Sequence, residues 1–281
     1  PVGDAIYAAY SRFFDAAPVA LESRVESTGV SGDFWTKEKV SFAAGYGGER
    51  MIAWLYLPRD AEPPYQVVIQ MGGAATFYRR TSDTEASIFG WSYGEHILRS
   101  GRAVLLPLWK GSYERSSGFE PLASPAPVFR QHVVWWVTEL RRSVDYLQSR
   151  DDIDPQRIAY QGISYGAMWA PVFLAQEPRL KTGLVIVGGM LPMELVPDPM
   201  PPEIDPLHYA PRVTAPVLML NGRYDPIFTY EKSQLPLFRT LGTADADKRH
   251  ITFPAGHSTS GWRDGLIRES LDWLDRYLGE P

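Results

Sequence analysis

The chain has 281 residues, a formal net charge of −5 and no cysteine. That length suits a single α/β domain with insertions, and the missing thiols exclude disulfides, thiolate catalysis and cysteine-based metal sites. The charges form no long run of one sign, so neither nucleic acid nor an anionic membrane is expected as a partner. No stretch of the sequence approaches the roughly 20 apolar residues that are needed to span a bilayer.

The front of the chain predicts a helix followed by antiparallel strands. Apolar residues recur at helical spacing over 4–14, which indicates a short helix. Residues 19–57 alternate in polarity, are rich in β-formers and are interrupted by glycines. They therefore predict antiparallel strands, of which 51–57 is the last.

After Pro63-Pro64 the pattern changes to short apolar runs separated by helical segments. The runs predict six buried strands, at 67–69, 103–106, 158–160, 184–187, 217–220 and 250–253. Helices are predicted between and after them, around 133–147, 165–177, 230–241 and 265–278. Apolar strands that alternate with amphipathic helices indicate a mostly parallel sheet with helices on both faces, and the antiparallel N-terminal strands make that sheet mixed.

Two stretches, 74–95 and 188–211, fit neither the helical nor the strand period. Each follows a predicted strand, so each is expected to emerge at the carboxyl edge of the sheet, where open α/β sheets bind ligands. Long insertions of this kind are typical of lids and binding loops. The rest of the chain contains neither an internal repeat nor a linker, so residues 1–281 are predicted to form one domain with small lid insertions.

The segment Gly162-Ile163-Ser164-Tyr165-Gly166 matches the pattern G-x-S-x-G. A predicted strand precedes it and a predicted helix follows it, which is the frame that a nucleophile elbow needs. The serine of such an elbow occupies a strained turn, and small flanking residues let the strand and the helix approach each other. Ser164 is therefore the candidate nucleophile.

A serine hydroxyl needs a base and an orienting acid, which in this frame follow in the order Ser, Asp or Glu, His. Asp225 comes after the strand at 217–220, and His257 comes after the last strand. Both loops are predicted to reach the edge of the sheet that holds Ser164. The other histidines fit worse, because they lie on helical patterns, in the Pro-rich insertion or at the start of a strand: His96, His132, His208 and His250.

An oxyanion hole requires two N–H groups aimed at the developing negative charge. The first donor is predicted to be the backbone N–H of Tyr165, the residue after the nucleophile. The second is predicted in the loop Met71-Gly72-Gly73-Ala74, with Gly73 preferred and Ala74 as the alternative. An ordinary Gly-Gly turn is the competing interpretation of this loop.

The loop 109–115 is unusually rich in aromatic, charged and hydroxyl side chains, and its position after a strand predicts that it overhangs the site. Trp109 and Tyr113 are the candidate substrate contacts there, with Lys110 beside them, and Met190 is a third candidate from the second insertion. A structural ion pair plus packing explains loop 109–115 equally well. An apolar pocket that prefers small or medium acyl and aryl esters is predicted from six side chains: Trp91, Trp109, Met168, Trp169, Met190 and Met193.

The sequence lacks metal-binding and nucleotide-binding motifs such as HExxH, a Walker loop or a dinucleotide-binding G-x-G-x-x-G. Neither a metal nor a cofactor is therefore predicted. The expected partner is a small-molecule ester. A homodimer is a further expectation. Derivation from a larger polypeptide is another, since the chain begins Pro1-Val2-Gly3. A soluble protein is expected, and the cytoplasm is the favoured compartment.

Five segments together give the chain a resemblance to esterase-like α/β hydrolases: 44–50, 110–115, 162–166, 218–225 and 271–278. It is similar to the dienelactone hydrolase, acetyl xylan esterase and prolyl-oligopeptidase groupings, and to domains at the C-terminal end of some bacterial serine/threonine-kinase polypeptides. The resemblance implies the α/β-hydrolase fold, with Ser164, Asp225 and His257 as nucleophile, acid and base.

The predicted activity is hydrolysis of carboxylic esters through an acyl-enzyme. A peptidase or amidase of the prolyl-oligopeptidase type is the nearest alternative. The alternative from a different class is a non-catalytic sensing module that keeps the hydrolase fold.

Overall fold

Nine strands pair into one mixed sheet in a computed structural model, which describes residues 1–15, 18–85, 91–190 and 199–281. The strands are β1 Arg24–Ser31, β2 Trp35–Ala43, β3 Arg50–Pro58, β4 Tyr65–Met71, β5 Ala103–Pro107, β6 Ile153–Ile163, β7 Thr182–Ile186, β8 Val217–Gly222 and β9 Lys248–Phe253. The α-helices are α1 Asp4–Ser11, α2 Trp91–Arg99, α3 Ala126–Gln148, α4 Tyr165–Gln176, α5 Pro206–Tyr209, α6 Leu235–Thr240 and α7 Arg263–Leu278.

The strand order across the sheet is β1-β2-β3-β5-β4-β6-β7-β8-β9. The pairs β1–β2, β2–β3 and β3–β5 are antiparallel, and every later pair is parallel. Every residue of β5, β7 and β8 is buried, as expected for parallel strands that are covered on both faces. The predicted mostly parallel sheet with antiparallel N-terminal strands is thereby confirmed.

Helices cover both faces of the sheet. The large apolar cluster on one face takes side chains from α3 and α4, and the cluster on the other face takes them from α2 and α7. Along α3 the buried apolar residues include the predicted stripe: Val133, Val137, Leu140, Val144 and Leu147. Helix α4 is buried at 11 of its 12 residues, because it lies between the sheet and α3. A helix that is covered on all sides must be apolar around its circumference, and α4 has this composition.

The two insertions are more structured than their sequences predict. Residues 74–78 form a 3-10 turn, and the end of the first insertion belongs to α2. In the second insertion, short helical turns that begin near prolines pack Ile204, Tyr209 and Ala210 into the core. Residues 199–211 therefore contain regular turns that pack on the core. Residues 86–90 and 191–198 of the predicted insertions lie outside the described residues.

A buried ion pair ties three separate parts of the chain together. Glu139 of α3 is fully buried and accepts hydrogen bonds from Arg115 and from the hydroxyl of Tyr46. Its other oxygen accepts the backbone N–H of Lys110 at 2.9 Å, and the Lys110 ammonium binds Glu49 at 2.7 Å. Burial alone would lower the pKa of Arg115, but the Glu139 carboxylate raises it above its ordinary value. The guanidinium therefore stays charged and holds the loop after β5 against α3.

Arg115→Met should lower the free energy of unfolding by about 3–5 kcal/mol, because it leaves the Glu139 carboxylate buried without its counter-ion. Urea unfolding measures the change. Arg249→Gln is the matched control, since it breaks an ion pair whose arginine side chain is 59% exposed, and exposed pairs contribute about 0–1 kcal/mol. Equal losses in the two variants would contradict a structural role for the Glu139 pair.

Candidate active site

Ser164 lies in a sharp turn between the end of β6 and the start of α4. Its backbone has φ +52° and ψ −105°, a conformation that non-glycine residues rarely adopt and that persists only where the surroundings enforce it. A Cβ at Gly162 would lie 2.5 Å from the carbonyl oxygen of Gly166, and a Cβ at Gly166 would lie 2.2 Å from that of Met71. The two glycines of the motif are therefore required by the close approach of β6, α4 and β4.

His257 connects Ser164 to Asp225. Its Nε2 is 3.0 Å from the Ser164 hydroxyl oxygen, and its Nδ1 is 2.8 Å from Asp225 Oδ2. The Asp225 side chain is fully buried, and its Oδ1 accepts the N–H groups of Ile227 and Phe228 at 2.8 and 3.0 Å. Because an ionised carboxylate only accepts hydrogen bonds, Nδ1 carries the imidazole proton and Nε2 is left to accept from the serine.

The loops that carry the acid and the histidine are held together by their backbones. Arg223 N–H donates to the Phe253 carbonyl at 2.7 Å, and Tyr224 N–H donates to that of Ala255 at 2.9 Å. A Cβ at Gly222 would lie 1.9 Å from the Gly256 oxygen, so only glycine allows this contact. The separation of the acid and the histidine is thus set by main-chain geometry rather than by flexible side chains.

The predicted oxyanion donors come from two segments next to the serine, the start of α4 and the glycine loop after β4. Tyr165 is the first residue of α4, so its N–H has no acceptor within the helix. Gly73 directly precedes the 3-10 turn 74–78 and shares the cleft with Ser164. The N–H of Gly166 binds the Gly72 carbonyl at 3.1 Å, which fixes the glycine loop beside the elbow. The assignment of the two donors remains a prediction.

A cleft of about 530 Å³ opens beside Ser164 and His257, a size typical of small-molecule sites. Its other described lining residues are Gly73, Ala74, Ala75, Tyr93, Ile163, Val187, Ser258, Thr259, Ser260 and Arg263. Apolar groups form the larger share of the cleft wall, and hydroxyl groups and one guanidinium stand among them. Burial raises the pKa of Tyr93, while its hydrogen bond to Thr259 and the nearby charge of Arg263 lower it in part.

The predicted substrate contacts in loop 109–115 do not lie on this cleft. Trp109 is 1% exposed, stacks on Phe173 in the core and donates from Nε1 to the Gln70 carbonyl. Tyr113 is buried in the cluster on the other face of the sheet. The loop folds inward because its two large rings gain more from burial than from overhanging solvent, and Lys110 serves the structural ion pair with Glu49.

Of the remaining pocket candidates, Met190 packs partly buried against the core and bonds through its backbone to Ser233, away from the described cleft. Met168 and Trp169 are fully buried within α4. Met193 and the side chain of Trp91 lie outside what the structure describes. Among the competing histidines, His250 sits between aromatic rings, where burial lowers its pKa to about 4.

The sequence pattern does not point to five polar residues of the cleft: Tyr93, Ser258, Thr259, Ser260 and Arg263. Four of them follow His257 within six positions, and that proximity was an available signal. Tyr93 lies within residues 74–95, which the sequence predicts to be an insertion. Over the four described ranges, three or more potential metal ligands nowhere converge on one point. Over the same ranges, the helices are too short or too polar to cross a membrane.

A scan against models of protein families gave no match. Two curated relatives, both uncharacterised proteins of Mycobacterium tuberculosis (strains CDC 1551 and H37Rv), are each 31% identical over 154 residues. That alignment covers 50% of this chain and 52% of each relative, so the chain spans about half the length of the curated relatives it matches.

Solved structures match over nearly the whole chain. An acetyl xylan esterase from Paenibacillus sp. R4 aligns with a TM-score of 0.70 and 15% identity, over 98% of this chain and 94% of that one. A cold-adapted esterase from an Arctic intertidal metagenomic library gives 0.67 and 18%, over 92% and 100%. A glucuronoyl esterase from Solibacter usitatus gives 0.65 and 16%, over 98% and 94%. The expected architecture is confirmed by these matches: the chain has the α/β-hydrolase fold.

Proposed function

We propose that this chain is a serine esterase that hydrolyses small to medium acyl or aryl carboxylic esters through an acyl-enzyme on Ser164. The observation that carries the proposal is the unbroken hydrogen-bond chain from the Ser164 hydroxyl through His257 to Asp225, with the serine open to the cleft. A buried carboxylate and a correctly oriented imidazole are what a serine needs to become a nucleophile at neutral pH.

In the proposed reaction, His257 Nε2 removes the proton from Ser164 as the serine oxygen attacks the ester carbonyl. Asp225 stabilises the imidazolium that forms, and the N–H groups of Tyr165 and Gly73 bind the oxyanion. The imidazolium then protonates the leaving alcohol, and the acyl group remains on Ser164. Water attacks the acyl-enzyme by the same sequence of proton transfers, which releases the acid and restores the serine.

The matched solved structures support this choice of bond, because the three described above are named as esterases. We also propose that residues 1–281 act as one domain. The single sheet supports this, since its strands extend from residue 24 to residue 253, and the first and last helices pack against the apolar clusters on its two faces.

Ser164→Ala should lower kcat on a 4-nitrophenyl ester at least about 10³-fold, because it removes the attacking oxygen and leaves only binding and oxyanion stabilisation. Steady-state hydrolysis measures the loss, and a fluorophosphonate probe followed by mass spectrometry locates the nucleophile. Ser124→Ala is the control, since its hydroxyl only caps a backbone N–H at residue 120.

An unlabelled Ser164 in the wild-type chain would contradict the proposal and favour a non-catalytic module. Turnover of aminoacyl anilides at rates equal to those of esters would instead favour an amidase. The two outcomes are separable, because an amidase still labels with the probe at Ser164.

A pair of proline variants tests the second oxyanion donor. Gly73→Pro removes the N–H of residue 73 at a φ of −73°, which proline adopts without strain, and should lower kcat about 10²–10³-fold. Ala74→Pro removes the next N–H at the first position of the 3-10 turn and should have a much smaller effect. The reverse ranking would assign the donor to Ala74, and two small effects would show that the glycine loop does not donate to the oxyanion.

A further inference from the structure

Arg263 stands on the wall of the cleft that holds Ser164 and His257. It is the first residue of α7, and its side chain is 40% exposed. Of the described residues that line the cleft, it alone carries a permanent charge, since His257 is neutral when it accepts from the serine. The Asp225 carboxylate is buried behind His257. The permanent charge that faces the described cleft is therefore this guanidinium.

Helix geometry makes this an unfavourable place for a cation. The N-terminal end of a helix carries about half a positive charge, which repels an arginine in the first turn. Trp262 occupies the N-cap position and supplies no side-chain cap that would offset the helix dipole. Folding of α7 thus gives no reason for an arginine at this position.

The guanidinium is also incompletely paired. Among the described residues its ion partner is Glu95, and the closest nitrogen–oxygen distance is 3.5 Å, beyond the usual range of a charge-assisted hydrogen bond. The other Glu95 oxygen already binds Arg99 at 3.1 Å. Two guanidinium groups therefore share one carboxylate, and most donors of Arg263 remain available to a ligand.

Hydroxyl groups share the cleft wall with this cation. The Tyr93 hydroxyl and Thr259 Oγ1 are 2.7 Å apart, and Ser258 Oγ and Ser260 Oγ are 2.9 Å apart. These pairs hold the hydroxyls in place while leaving lone pairs and protons for a polar ligand. A guanidinium with hydroxyl groups nearby binds an anionic oxygen group of a ligand much better than it binds an alkyl chain.

We propose that Arg263 binds a carboxylate carried by the substrate, so that the preferred substrates are esters of which one part is an anion. This inference rests on the proposed esterase function and deepens it. Arginine suits the role because its planar fork binds both oxygens of a carboxylate at once. The anionic group belongs to the end of the cleft lined by residues 258–263, and the ester carbonyl lies at Ser164.

Two matched substrate pairs test the preference and locate the charge. The 4-nitrophenyl monoester of adipic acid against 4-nitrophenyl hexanoate places the carboxylate on the acyl group. 4-Acetoxybenzoate against its methyl ester places it on the alcohol. In at least one pair the wild-type chain should favour the anionic ester in kcat/KM, and added salt should reduce that preference by screening.

Arg263→Gln should lower kcat/KM for the favoured anionic ester about 10–100-fold and change that for its neutral partner by less than about 2-fold, because only the charge-assisted contact is lost. Arg263→Lys keeps the charge without the fork and should fall between. Arg268→Gln is the matched control: it removes the same charge from an exposed site on α7 and should leave the ratio unchanged. Glu95→Gln removes the competing carboxylate and should raise the ratio.

An anionic-to-neutral ratio that Arg263→Gln leaves unchanged in both pairs would overturn the carboxylate site. Probe labelling of Ser164 separates this failure from failure of the esterase. If the variants label normally but the anionic-to-neutral ratio of kcat/KM does not change, only the carboxylate site is contradicted. If the wild-type chain neither labels nor hydrolyses any of the four esters, both proposals are overturned. Circular dichroism checks that Arg263→Gln folds, and Arg263→Lys and Glu95→Gln test the same contact if it does not.

Discussion

The geometry of the site depends on three places where the backbone passes too close for a side chain. Gly162 lies against the carbonyl of Gly166, Gly166 lies against the carbonyl of Met71, and Gly222 lies against the carbonyl of Gly256. A Cβ at any of these glycines would lie within about 2.5 Å of a backbone oxygen, so relief would require moving a strand or a helix. The segments that carry Ser164, Asp225 and His257 are far apart in sequence, and these close contacts bring them within hydrogen-bond distance of one another.

The strained turn at Ser164 is held by bonds and burial on both sides. Its N–H donates to the Ile186 carbonyl at 2.9 Å, and its own carbonyl accepts from Met168 at 3.0 Å. Strain of this kind costs about 1–3 kcal/mol. Burial of nearly all of α4 offsets that cost, because each fully buried large apolar side chain contributes about 1.5–3 kcal/mol. An apolar helix directly after the serine is thus part of what aims the hydroxyl.

Periodicity and chain order predicted the sheet, its covering helices and the close approach of Ser164, Asp225 and His257, because each follows from local pattern and from where strands end. Side-chain direction within a loop follows from neither. Trp109 satisfies its indole N–H on the Gln70 carbonyl inside the fold, and that acceptor lies 39 residues away. Arg263 was missed for a related reason: at the start of an amphipathic helix an arginine looks like an ordinary solvated charge.

The segments that give the chain its resemblance to esterases divide into two kinds. Residues 162–166 and 218–225 build the site, whereas 44–50, 110–115 and 271–278 supply structural contacts such as the Glu139 pair and the bond of Asp275 to buried Arg102. The cleft wall formed by α2 and residues 258–263 belongs to none of them. The resemblance carried by these segments therefore covers the fold, Ser164 and Asp225, whereas the proposed choice of substrate depends on side chains outside them.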